Sequence, residues 1–188
     1  WEAAESALTQ LDELTKLEDT TIDLRILLAA SAGRKDTLDE LRSKVDGLAD
    51  DQRFELMRSL ATAWGTVGEI EKSDECWAIV AEHVPSDLRV LRARFTLANL
   101  RGDDQRSREL IKQMREIEGE SGEYWQLSEA RRLYVHGQLG NRDDLIEARK
   151  LLESLDGRVP DRGQLMTMLG DICQLEGDIE AAIEYYRT

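Results

Sequence analysis

The sequence predicts an all-α protein, a solenoid of antiparallel helix pairs that stack one after another along the chain. Three observations support this fold class. Leu, Ala, Glu and Arg are abundant and only two prolines occur in 188 residues, which favours helix nearly throughout. Turn glycines recur at intervals of 34 to 35 residues, and apolar residues on both sides of each glycine repeat with helical spacing. A helix pair with an apolar stripe on each helix can bury both stripes only if it stacks on neighbouring pairs.

The first elements are a lone helix and a helix pair. Residues 1–17 predict half a repeat, a single helix with apolar positions at Ala4, Leu8 and Leu11. Residues 20–50 predict the first full pair, which turns at Gly33 and has the apolar positions Ile22, Ile26, Ala29, Leu38 and Val45. We expect the terminal half repeat to expose apolar side chains and to favour self-association.

Two regular repeats follow, at 54–85 and 88–119. Their turn glycines are Gly68, which lies 35 residues after Gly33, and Gly102, which lies 34 residues after Gly68. The first repeat has the apolar or small positions Met57, Leu60, Ala61, Trp64, Ser73, Trp77 and Val80. The second has Leu91, Phe95, Ala98, Ser107, Ile111 and Met114. We interpret Gly102-Asp103-Asp104 as a turn with a helix N-cap, where the helix dipole favours Asp.

The last two repeats are predicted at 122–160 and 163–188. The fourth departs from the period, because Gly137 and Gly177 are 40 residues apart, which predicts an enlarged turn between Gly137 and Asp143. Its apolar positions are Trp125, Ala130, Leu133, Ala148, Leu152 and Leu155, and Pro160 follows. The fifth turns at Gly177, and its stripes are Met166, Leu169, Gly170, Cys173, Ile179, Ala182, Ile183 and Tyr186. The chain should therefore contain about eleven helices.

This pattern resembles the tetratricopeptide repeat (TPR). The residues that carry the resemblance are Trp64, Gly68, Trp77, Pro85, Gly102, Gly170, Gly177, Ala182 and Tyr186. The resemblance implies a right-handed superhelix whose first helices line a concave groove, and a role in protein–protein recognition. Residues 1–188 are then expected to be one solenoid, cut from a longer protein, since the chain begins at Trp1 rather than Met.

Composition argues against several classes of partner. The formal net charge of −14 repels phosphate backbones and anionic lipid headgroups, so we expect no nucleic acid partner. The longest apolar run, residues 26–30, is far shorter than a membrane-spanning helix needs, so we expect no membrane insertion. The compartment is not determined by the residues present; a cytoplasmic location is favoured, and any targeting segment would lie outside these residues.

Catalytic and metal-binding motifs are missing from the sequence. His83 and His136 fall near predicted helix ends without metal-ligand spacing, and Cys76 and Cys173 fall within predicted helices. No glycine-rich phosphate loop or nucleophile elbow occurs. We therefore expect no enzymatic activity, no metal and no cofactor.

Arginine and tyrosine mark a candidate ligand groove. On the first helices of three repeats, residues at i, i+3, i+7 and i+10 share one side of the helix and would adjoin in a superhelix. The candidates on these sides are Arg58, Arg89, Arg92, Asn99, Tyr124, Arg131 and Tyr134. Arginine suits carboxylates, and arginine and tyrosine are favoured at binding hot spots, so we expect an acidic protein or peptide partner.

Other interpretations remain open at this point. In the first, the same arginines pair with acidic residues of neighbouring helices and only keep the surface soluble. In the second, the whole chain is a structural spacer or self-assembly module that binds no ligand. In the third, the chain is an accessory domain of an enzyme whose catalytic part lies outside this segment.

Overall fold

The computed structural model describes residues 1–15, 21–159 and 162–187. Pro160, the predicted close of the fourth repeat, lies outside the described residues. The same holds for residues 16–17 of the predicted half repeat and for residues 20 and 188, the outer limits of two other predicted repeats.

The described residues form eleven α-helices and no strands, which confirms the all-α prediction. The helices, in chain order, are α1 (Glu2–Thr15), α2 (Ile22–Ser31), α3 (Lys35–Asp46), α4 (Asp50–Thr66), α5 (Ile70–His83), α6 (Leu88–Leu100), α7 (Asp104–Glu118), α8 (Glu123–Gln138), α9 (Arg142–Leu155), α10 (Arg162–Glu176) and α11 (Ile179–Tyr186). None of these helices is long and apolar enough to cross a membrane. The chain divides into two compact units, Trp1–Leu97 and Ala98–Thr188.

In the first unit, α2 packs against α3 and α4, and α4 packs against both α3 and α5. The side chains that fill this core sit at the positions predicted from helical spacing. Its fully buried members include Ile26, Ala29, Leu38, Val45, Met57, Leu60, Ala61, Trp64 and Val80. Trp77 is only half-buried against the same core. Outside the core, Arg25 of α2 donates to Asp12 of α1 at 2.9 Å and so ties the first helix to the second.

In the second unit, α8 packs against α7 and α9, and α10 packs against α9 and α11. The core again matches the predicted stripes, since Ala130, Leu133, Ala148, Leu152, Leu155, Leu169, Cys173 and Ala182 are buried. The prediction for α11 was wrong in part. Ile179, Ile183 and Tyr186 are about half exposed, because in this unit α11 packs on α10 through one side only.

The enlarged turn predicted between Gly137 and Asp143 is not present. α8 continues through Gly137 to Gln138, and α9 begins at Arg142, so three residues link these helices, as three link α4 and α5. Gly140, with φ +106°, holds the left-handed conformation that ends α8. Gly137 instead lets two helices approach closely, since a Cβ there would lie 2.2 Å from Cδ2 of Leu145.

Two aspartates cap helices at these turns. The Asp103 side chain accepts from the backbone N–H of Arg106 at 3.0 Å, at the start of α7. Asp178 accepts from the N–H of Ala181 at 3.1 Å, at the start of α11. This confirms that Gly102-Asp103-Asp104 is a turn followed by a helix cap.

Candidate functional site

The predicted groove residues fall into both compact units. Arg58, Arg89 and Arg92 belong to the first unit, and Asn99, Tyr124, Arg131 and Tyr134 belong to the second.

Arg58 projects from α4 and is held between a ring and a carboxylate. Its Nη2 donates to Oδ2 of Asp87 at 2.8 Å, and its guanidinium lies 5.3 Å from the ring centroid of Phe54. The side chain is only 25% exposed. Arg58 thus ties α4 to the segment before α6, which leaves little of its guanidinium for a ligand.

Asp87 also serves the first turn of α6. Its Oδ1 accepts from the backbone N–H of Arg89 at 2.8 Å and lies 3.4 Å from Nε of Arg89. Burial works to raise the pKa of the Asp87 carboxyl, but the hydrogen bonds from Arg58 and Arg89 outweigh it, and the pKa lies below its ordinary value. The structure therefore brings Arg58 and Arg89 together on one carboxylate.

Arg89 differs from Arg58 in its exposure. Its side chain is 80% exposed, and its contact with Asp87 is long, so most of its guanidinium faces solvent. Arg92 lies one turn further along α6 on the same side and is half-buried. Among the eleven described helices, α6 alone contains no acidic residue, although it contains three arginines.

The second unit places two of its four candidates differently. Tyr134 on α8 donates from its hydroxyl to Oδ2 of Asp171 on α10 at 3.3 Å and accepts from Nε2 of Gln138 at 2.8 Å. Burial, reinforced by the Asp171 charge, raises the pKa of Tyr134. Arg131, three residues before it, is half-buried and makes no ion pair or hydrogen bond through its side chain with the described residues. Tyr134 thus joins two helices, whereas Arg131 keeps its donors for other groups.

The remaining candidates, Asn99 at the end of α6 and Tyr124 in the first turn of α8, are half-buried. Tyr124 donates its backbone N–H to Oε1 of Glu118 at 3.1 Å. Glu118 of the preceding helix therefore holds the first turn of α8, where Tyr124 lies.

Sequence reasoning did not identify Asp87 and Asp171, the carboxylates that contact Arg58 and Tyr134. Asp87 follows Pro85-Ser86 and precedes a helix, so its capping role could have been read from the sequence. Asp171 gives no such signal. It lies in the middle of α10, and its contacts with Tyr134 and with Tyr186, whose hydroxyl is 2.6 Å away, depend on how three helices pack.

A second polar cluster lies at the junction of α7, α8 and α9. Arg132 is buried and donates to Asp104 at 2.9 Å and to Glu129 at 2.7 Å. His136 lies 3.0 Å from Asp104 and 3.5 Å from Asp144, so the histidine expected at a helix end lies between two helix N-termini. These contacts join three helices, and the described residues contain no group of three or more metal-ligating side chains.

The two cysteines are buried thiols, one in each unit. Nη1 of Arg42 lies 2.8 Å from Sγ of Cys76. Burial raises the pKa of the Cys76 thiol against the opposing charge of Arg42. Burial also raises the pKa of Cys173. Both groups are therefore less reactive than an exposed thiol.

Comparison with known proteins rests on structure. No protein-family model matches the sequence, and no curated protein sequence matches it. Solved structures do match. The Podosopora anserina protein described as a kinesin light chain, with nearly identical TPR-like repeats, has a TM-score of 0.54 at 17% identity, over 97% of this chain and 92% of that one. BtubC from P. vanneervenii has a TM-score of 0.56 at 15% identity, over 97% and 84%. The chain has the TPR-like fold.

The structure titled MamA MSR-1 C2 agrees with this TPR-like assignment. Its TM-score is 0.51 at 16% identity, over 91% of this chain and 94% of that chain. At such identities the likeness establishes the fold and not the ligand. Helix pairs that turn at Gly33, Gly68, Gly102, Gly140 and Gly177 are the local feature that accounts for it.

Proposed function

We propose that this TPR-like chain is a non-catalytic scaffold that binds a protein partner through acidic segments of that partner. The observations that support the proposal are the absence of acidic residues from α6 and the exposure of Arg89 on that helix. This helix presents Arg89 almost fully to solvent in a chain of net charge −14. Arg92 on the same side and Arg131 on α8 would add further contacts to carboxylates.

The contacts of Arg58 and Tyr134 give them a different role within this proposal. Each is engaged by a carboxylate of the chain itself, Asp87 for Arg58 and Asp171 for Tyr134. They would hold the helices that present the other residues, rather than contact a partner directly. Replacing Arg58 would therefore test stability more than binding.

The test is a peptide array and pull-down with residues 1–188 beside an Arg89→Ala/Arg131→Ala variant. We expect acidic ligands to bind the wild-type chain and to weaken by about tenfold in the variant, because two charge-assisted contacts are lost. A matched control, Arg142→Ala/Lys150→Ala, removes the same net charge from exposed positions of α9. Ligands retained equally by both variants would contradict the acidic-partner proposal.

Self-association is a second candidate, favoured by the terminal helices. Leu14 on α1 is 82% exposed, and Ile179 and Ile183 on α11 are about half exposed. Exposed apolar side chains in such numbers favour contacts with another chain. Light scattering over a hundredfold range of protein concentration tests this. A mass that stays at 21.4 kDa would rule out self-association in that range.

A further inference from the structure

His136, in the last turn of α8, lies within reach of charged groups on three helices of the second unit. Its Nε2 is 3.0 Å from Oδ1 of Asp104, the first residue of α7, and its Nδ1 is 3.5 Å from Oδ2 of Asp144, in the first turn of α9. The same Nδ1 is also 3.5 Å from Nη1 of Arg132, one turn earlier on α8. The His136 side chain is only 29% exposed, so these three groups form much of its surroundings.

Protonation determines which of its two neighbours Nδ1 can use. A neutral imidazole with its hydrogen on Nε2 donates to Asp104 and leaves Nδ1 as an acceptor, which suits the N–H of Arg132. The imidazolium has a hydrogen on both nitrogens, so its Nδ1 can no longer accept from Arg132 and can donate to Asp144 instead. The two states therefore differ in one contact. The neutral ring uses Nδ1 within α8, whereas the charged ring uses it to join α8 to α9.

The charges of this junction favour the imidazolium. Arg132, the cation nearest the ring, is itself engaged by Glu129 at 2.7 Å and by Asp104 at 2.9 Å. Arg108 pairs with the other oxygen of Asp104 at 2.7 Å. Around a neutral ring there are thus three negative and two positive groups, and the added proton balances them. These groups are Asp104 and Arg108 on α7, Glu129 and Arg132 on α8, and Asp144 on α9.

Two further features leave Asp144 available to the charged ring. Its Oδ2 accepts from Nδ2 of Asn141 at 2.8 Å, and a carboxylate has about four acceptor positions, so it can accept from His136 as well. The N-termini of α7 and α9 oppose a cation at this place, and the C-terminus of α8 favours one. Each helix end is equivalent to about half a charge, which is less than the full charge of the carboxylates Asp104 and Asp144. The carboxylates therefore decide the balance.

We propose that His136 is a proton-dependent switch that joins α8 to α9 when it is charged and releases that contact when it is neutral. The charged ring donates to Asp104 and Asp144 and so links α7, α8 and α9, whereas the neutral ring links only α7 and α8. Since the charged ring gains a partner on folding, its contribution to stability is fully present below the unfolded-state pKa of about 6.5 and is lost as pH rises. The switch does not depend on the proposed binding of an acidic partner.

The test is a double-mutant cycle of His136→Gln and Asp144→Asn, measured by urea denaturation at about pH 5.5 and about pH 8. Glutamine keeps an N–H donor for Asp104 but carries no charge, and the carboxylates stay ionised at both pH values. At the lower pH we expect the two substitutions to be coupled by about fivefold in the equilibrium constant for unfolding. At the higher pH the coupling should fall below about 1.5-fold, because the neutral ring does not donate to Asp144.

His83 provides the matched control, because it is the only other histidine in the chain and lies in the first unit. Its ring lies against Phe54, with centroids 5.4 Å apart, and it makes no ion pair with the described residues. His83→Gln should therefore change the stability by the same amount at both pH values.

Hydrogen exchange of the unsubstituted chain gives a local measurement that does not depend on how a variant folds. After correction for the intrinsic exchange rate, the amides of α8 and α9 should open about fivefold less often at about pH 5.5 than at about pH 8. The proposal is overturned if the coupling is equal at the two pH values or missing at both. It is also overturned if the opening of α8 and α9 is the same at both, or if His83→Gln removes the pH dependence as fully as His136→Gln.

Discussion

Two serines at equivalent positions, Ser73 and Ser107, have different surroundings. Both are buried in the first turn of a helix and lie 34 residues apart. The Ser73 hydroxyl donates to the carbonyl of Ala61 at 2.7 Å. The Ser107 hydroxyl has no hydrogen-bond partner among the described residues. The same small residue therefore contributes a hydrogen bond in one repeat and an unpaired polar group in the next.

Alanine substitution should separate these two serines. Ser73→Ala should lower the free energy of unfolding by about 1 kcal/mol, because it removes a buried hydrogen bond that joins α5 to α4. Ser107→Ala should leave the stability unchanged or raise it by up to about 1 kcal/mol, because it removes a buried hydroxyl without a partner. Urea denaturation of both variants measures the difference. A larger loss for Ser107→Ala than for Ser73→Ala would contradict this account.

Asp87 makes the stability of the first unit depend on pH. Its folded-state pKa is lowered by Arg58 and Arg89, so its contribution is fully present above the unfolded-state pKa of about 3.9 and is lost as pH falls through the folded value. Asp87→Asn should therefore cost about 2 kcal/mol at pH 7. The difference between wild type and variant should shrink as pH falls below about 4.

Urea midpoints of the wild type and of Asp87→Asn, measured between pH 7 and pH 3, test this dependence. Taking the difference cancels the titration of the other carboxylates, which both proteins share. A difference that stays constant over this range would show that the charge of Asp87 does not stabilise the fold.

At the scale of the helices, the sequence was sufficient to predict which residues of each helix are buried, but not which residues they contact. Burial follows the helical period, so Leu38, Leu60 and Leu152 could be placed in the core from spacing alone. The turn after α8 was misplaced because Gly137 and Gly140 lie in one short segment. Only the packing of Leu145 against Gly137 distinguishes the small position from the turn position.

The candidate groove was predictable to the same extent. Helical spacing placed Arg89 and Arg92 on one side of α6. The ion pair of Arg58 could not be derived in this way, because Asp87 lies 29 residues further along the chain and reaches Arg58 only in the folded structure. Spacing predicts which side of a helix a residue occupies, and packing determines what it meets there.

Two glycines at helix contacts should respond differently to substitution. A Cβ on Gly137 would lie 2.2 Å from the buried Leu145, whereas a Cβ on Gly170 would lie 2.4 Å from the ring of Tyr186, which is half exposed. Gly137→Ala should cost about 2 to 3 kcal/mol, because Leu145 is enclosed. Gly170→Ala should cost only about 1 kcal/mol, because Tyr186 can move outward at the cost of its exposed hydrogen bond to Asp171. Thermal unfolding compares the two, and equal losses would contradict the argument.

At the scale of the whole molecule, charge is distributed unevenly along the chain. Residues 88–115 have a net charge of +5, so the other residues together have −19. The basic stretch comprises α6 and most of α7. If the partner is acidic as proposed, the net charge of the chain repels it and only this basic stretch attracts it. Arg89 and Arg92 of the proposed binding surface lie in the stretch.

The two buried thiols allow the opening of each unit to be timed separately. Cys76 reports on the first unit and Cys173 on the second, and neither sulfur can react with a thiol reagent until its surroundings open. Under conditions where reclosing is fast, the labelling rate of each cysteine, followed by mass spectrometry of its peptide, gives the local free energy of opening. The chain thus contains one built-in reporter of local opening in each unit. A partner that binds one unit should slow the labelling of the cysteine in that unit, and no substitution in the chain is needed to measure it.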